Sequence, residues 1–109
     1  MREDALAKNE VLFRQVNERI EAISEAFPSE DEAMEFLCEC DQPDCRETVN
    51  LSRAEYELVR AEPTHFIVRA GHDDPRVEHV AHSNDRFVVV EKEGTAARDA
   101  RRAEPRGHA

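Results

Sequence analysis

Apolar residues near the start of the chain recur in steps of three and four. Leu6, Phe13, Val16, Ile20, Ile23 and Phe27 keep this rhythm once Asn9 is counted, giving steps of 3, 4, 3, 4, 3 and 4. That is a heptad seam on a helix over residues 3–27, closed by Pro28. Glu10, Arg14, Glu18, Arg19 and Glu21 fall off the seam. Such a helix is about 36 Å long, more than a small domain is wide. Either the C-terminal half of the seam packs on the domain while the N-terminal half frays, or part of the seam meets a protein partner or a second copy, with Asn9 as a register residue.

Beyond Pro28 the period shortens. Ser29 and Glu32 have capping-box spacing and predict a short helical turn. Residues 35–40 alternate as a strand, with Phe36, Cys38 and Cys40 on one face. The DQPD stretch is a turn, and residues 47–51 return as the second strand of a hairpin, with Val49 and Leu51 alternating. Ser52 and Glu55 form another capping box, opening a helix with Tyr56 and Val59 on one face that ends before Pro63. Three strands follow, at 65–70, 77–82 and 87–92. FVVVEK is the most apolar and is expected at the centre. A short helix can begin after Gly94. The expected class is α+β: a helical arm (1–28), a small mixed domain (29–94) and a polar, flexible tail (95–109).

Composition narrows the function. A chain of 109 residues allows one small core, and 37% of it is charged. A net charge of −10 opposes binding to nucleic acid or to anionic membranes. No apolar run suits a membrane span, and MREDALAKNE lacks the features of a signal peptide, so a cytoplasmic setting is expected.

All three cysteines, Cys38, Cys40 and Cys45, lie in FLCECDQPDC. Reduced thiols so clustered favour a metal over disulfides. Zinc takes four ligands, commonly cysteine with histidine. His72 is the preferred fourth, because Gly71 lets the backbone bend at the end of a strand. His65 is the second choice, and at most one of His79 and His82, on opposite faces of one strand, could serve. His108 lies in the tail, and Asp41 or Asp44 would be a carboxylate substitute. The C-x-C-x4-C spacing also admits an iron–sulfur cluster, a metal-free redox pair or three thiols packed as small apolar groups. The surrounding acids, Glu35, Glu39, Asp41 and Asp44, read as solvated surface, and Arg60 and Arg69 as surface partners of acids. No HExxH, nucleophile elbow, Walker loop or GxGxxG occurs, so no enzyme is expected.

NEVLFRQVNERIEAI, FLCECDQPDC, LSRAEYELVRAEPTHFIV, the Gly-His at 71–72 and FVVVEKEG are together similar to a group of small actinobacterial proteins of uncharacterised function. The resemblance runs from about residue 8 to residue 105. It implies that Cys38, Cys40, Cys45 and His72 act as one unit. The expected protein is a non-enzymatic zinc-binding regulator or adaptor. The alternative is a thiol regulator in which oxidation releases zinc and moves the helical arm.

Overall fold

The computed structural model describes residues 8–26, 29 and 31–106. Leu6, Phe27, Pro28 and the side chain of Asn9 lie outside that description. The elements are α1 (Lys8–Ser24), β1 (Ala33–Leu37), β2 (Thr48–Ser52), α2 (Arg53–Arg60), β3 (His65–Val68), β4 (Glu78–Ser83), β5 (Val88–Lys92) and α3 (Gly94–Arg102). The class is α+β. No helix among the described residues is long and apolar enough to cross a membrane.

Two antiparallel sheets form, a β1–β2 hairpin and a three-stranded sheet in the order β3-β5-β4. β5 is central, as its apolar run predicts. Side chains of β3 and β5 are buried on both faces. Phe66, Val68, Val88 and Val90 enter one apolar cluster with the three cysteines and Ala100. Ile67 and Val89 enter the other, with Phe36, Val49, Leu51, Tyr56, Val59 and Phe87. A strand pair covered on two sides needs continuous apolar sequence rather than alternation, which HFIV and VVV provide. Phe36 stacks on Tyr56 with ring centres 4.5 Å apart. The capping box opens α2 as expected: Ser52 accepts from Glu55 N–H at 3.1 Å, and Glu55 accepts from Ser52 N–H at 2.9 Å.

Several local expectations change. β1 ends at Leu37, so Cys38–Cys40 do not continue it. Phe36 lies in one cluster and the cysteines in the other, so they do not share a face. The reason is that the chain leaves the hairpin and turns to β3, where Glu39 N–H donates to Ile67 O at 2.7 Å. At the start of the hairpin, Ser29 accepts from Asp31 N–H at 3.2 Å, and residues 31–32 bend instead of forming a helical turn. β3 stops at Val68 because Arg69–His72 forms a turn. β4 is an edge strand with an irregular register at Val80–His82, and beyond Glu78 its residues are exposed, so its alternation sorts nothing into a core.

The first helix departs most from expectation. Its domain-facing stripe is Glu10, Arg14, Asn17, Glu21 and Ser24, all buried. These are the polar positions beside the seam, not the seam itself. Phe13, Val16 and Ile20 are half-buried, while Leu12 and Ile23 are 55% and 65% exposed. The helix docks because its buried polar side chains find partners, although Arg14 Nε is buried without a hydrogen bond of its own. Asn17 donates to Leu37 O (2.9 Å) and accepts from Leu37 N–H (2.8 Å), pairing with the end of β1 as another strand would. Arg14 donates to Pro63 O at 2.8 Å and to His65 O, with its guanidinium 3.5 Å from the centre of the Phe66 ring. Glu18 accepts from Tyr56 Oη at 2.7 Å and from Arg60 Nε at 3.1 Å. Arg60, expected at the surface, is thus buried between Glu18 and Glu104.

The expected tail is also docked over residues 95–106. α3 buries Ala96, Ala97 and Ala100, and Arg106 pairs with Glu18 and Glu57. Small alanines let this helix approach β5 closely, which the charge-rich composition obscures.

Lys92, 2% exposed, joins Glu10 of α1 and Glu78 of β4. Burial alone would lower its pKa, yet the two carboxylates outweigh that and hold it protonated. Replacing it, as in Lys92→Met, leaves two carboxylates in a dry site without their shared cation. Urea unfolding of that variant at neutral pH should show a loss of about 3–5 kcal/mol. A loss below about 1 kcal/mol would mean that water reaches the site.

Candidate metal centre

Two tight turns and one connecting segment bring the ligands together. Cys38 follows β1, its N–H donating to Glu47 O at 3.0 Å. Cys40 lies two residues further along the segment that borders β3. Cys45 ends a turn over 42–45, closed by Cys45 N–H to Gln42 O at 3.1 Å, with Pro43 at the position where its fixed φ favours turning. His72 ends a turn over 69–72, closed by His72 N–H to Arg69 O at 3.0 Å. Gly71 has φ +85°, a conformation costly for any residue with a side chain. Cys45 and His72 thus each occupy the last position of a tight turn.

The ligand atoms of Cys38, Cys40, Cys45 and His72 lie within 4.8 Å of one another. His72 presents Nδ1, 3.5 Å from Cys38 Sγ and 3.7 Å from Cys45 Sγ. A tetrahedral zinc bound at about 2.3 Å to sulfur and about 2.0 Å to nitrogen spaces those ligands by about 3.5 Å. The two nitrogen–sulfur spacings match one such ion, and the remaining pairs lie within 4.8 Å. The cysteines are free thiols, all buried. Phe66, Val68, Val88, Val90 and Ala100 close over them, with Val11 of α1 packed alongside.

Backbone amides point at the sulfurs. Arg69 N–H donates to Cys38 Sγ at 3.3 Å, and the Gln42 amide serves Cys40. Three thiolates around a divalent ion leave an excess negative charge, and such donors offset it. In the metal-free site burial pushes the Cys38 thiol well up, assisted by Cys40 and Cys45 nearby. Burial also raises Cys40.

The other expected candidates lie elsewhere. His65 Nε2 is 3.4 Å from Glu91, His79 Nδ1 is 2.5 Å from Glu93, and the His82 ring stands near Phe87. His108 is outside the described residues. Asp44 is exposed. Asp41 faces Asp74 rather than the thiols; burial and then that carboxyl raise it to about 6.

Glu39 was expected in solvent and is buried. Its Oε2 accepts from Asn17 Nδ2 at 2.8 Å, its Oε1 accepts from Ile67 N–H at 3.1 Å, and Arg14 Nη2 stands 3.6 Å from Oε1. Nothing local in CEC signals this, because the partners lie on α1 and β3.

The fold and site together define an α+β protein with a closed Cys3His cluster able to hold one metal ion. Comparison with family models, curated proteins and solved structures finds no match for the chain.

Both raised thiols are protonated at neutral pH in the metal-free site, whereas a metal needs thiolates. Ion and proton therefore compete, and affinity should fall as pH falls. Zinc titrated calorimetrically into metal-free protein, in buffers of different ionisation enthalpy, should release about two to three protons per ion near pH 7. Binding without proton release would show that the thiols are not the ligands.

Proposed function

We propose that this protein is a small, non-enzymatic zinc-binding protein in which the metal ties the connecting segment after β1 to the turn after β3. The observation that carries this is the convergence of three thiols and one imidazole nitrogen within 4.8 Å. Four protein ligands leave no open position for water, which suits a structural zinc rather than a catalytic one. The compact spacing favours one ion over an iron–sulfur cluster, whose ligands spread over several irons. Burial of Cys38 and Cys40, each 1% exposed, and their raised pKa values oppose a thiol switch that reacts without metal. The setting is a reducing compartment, consistent with free thiols.

The biological role is protein interaction or regulation. What supports it is the outward stripe of α1, where Leu12 and Ile23 are exposed and Phe13 and Val16 are half-buried, while Ile20 packs on the domain's own core. A protein partner or a second copy would cover this stripe. The net charge of −10 speaks against nucleic acid as that partner.

Cys40→Ala removes one ligand from the interior of the set. Elemental analysis of the untagged variant should show loss of zinc, and its melting temperature should fall by about 10 °C or more, since binding energy at such a site is folding energy. Unchanged zinc content and an unchanged melting curve would contradict the proposal.

A further inference from the structure

α1 is held by polar contacts, and this gives the metal a lever on it. Apolar contact is non-directional and tolerates small shifts. Buried hydrogen bonds and ion pairs do not: turn one partner away and the other is left desolvated and unpaired. Arg14 and Asn17, 3% and 0% exposed, are in that position at the middle of the helix.

Their common partner sits inside the metal loop. Glu39 lies between Cys38 and Cys40, 1% exposed, and takes the Asn17 amide on one oxygen while the other faces Arg14 and the Ile67 amide. The two thiols enter the apolar cluster beside Phe66, whereas the carboxylate between them reaches Asn17 and the Ile67 amide. A metal that fixes both sulfurs therefore fixes the direction of Glu39, away from the ion and toward α1.

We infer that metal occupancy controls the docking of α1, with Glu39 as the positioning residue that connects the two. This rests on the metal assignment above. Without the ion, the segment loses the tie that orients Glu39, and Arg14 and Asn17 lose their shared acceptor. The remaining anchors do not involve Glu39: Asn17 holds Leu37, Arg14 holds the Pro63 and His65 carbonyls, Glu10 holds Lys92, and Glu18 holds Tyr56 and Arg60. Release therefore begins mid-helix and loosens Val11 and Ile20, which pack on the two apolar clusters. The metal state becomes readable at the surface through the availability of an amphipathic helix.

Hydrogen–deuterium exchange on the full chain tests this, with zinc bound and after removal by a chelator. Stripping should speed exchange of α1 amides by about tenfold or more, while β3 and β5 amides keep their protection. Glu39→Gln should still bind one equivalent of zinc, within about threefold of the wild-type affinity, yet show fast α1 exchange with zinc present. Asn17→Ala keeps all four metal ligands, though it also removes the two bonds to Leu37, and should do the same, which keeps the test open if Glu39→Gln fails to fold. Three results would overturn the coupling: α1 protection indifferent to zinc, α1 and the sheet released together, or wild-type α1 protection in zinc-loaded Asn17→Ala. One equivalent of bound zinc beside any of these leaves the metal site standing and removes only the coupling. A chain that takes up no zinc removes both.

Discussion

A carboxylate cut off from water sits between two thiols, and most of the architecture converges on it. Glu39 receives the end of β3 through Ile67, the middle of α1 through Asn17, and the charge of Arg14. A buried carboxylate without such partners would cost several kcal/mol. Its partners must therefore be in place together, which sets the position of α1 relative to β3 and the connecting segment. The same constraint recurs at Lys92 with Glu10 and Glu78, and at Arg60 with Glu18 and Glu104. In a chain of this size, charged groups serve as interior connectors where a larger protein would use more apolar area.

The metal cluster stands on the opposite side of that segment. Cys38 and Cys40 enter an apolar cluster on one face of the central sheet, while Glu39 between them reaches Asn17 of α1. The Gln42–Cys45 and Arg69–His72 turns then complete the site from two directions. Four side chains, amide donors to sulfur and an apolar surround are the features that a structural metal site uses.

Much of this was legible in the sequence, and the failures share one cause. The Ser52–Glu55 cap, the Tyr56–Val59 face and the central place of FVVVEK follow from local rules, and the structure shows them. The convergence of Cys38, Cys40 and Cys45 with His72 was legible from thiol clustering and from Gly71, whose φ of +85° turns the chain. Polar burial was not legible. Arg14 meets Glu39, 25 positions further along the chain, and no spacing rule links them. A heptad of apolar residues reads as the docking face of a helix, yet here the polar stripe next to it is buried while the apolar seam is only half-buried at Phe13, Val16 and Ile20 and exposed at Ile23. Likewise, alternation through Cys40 reads as a continued strand, whereas pairing to β3 ends β1 at Leu37.

The most direct measurement is X-ray absorption at the zinc edge on purified, untagged protein, with metal content determined on the same sample. The account predicts about one zinc per chain with three sulfurs near 2.3 Å and one nitrogen near 2.0 Å. A folded protein with no bound metal and three titratable thiols would contradict it, as would a zinc shell made of oxygen and nitrogen alone.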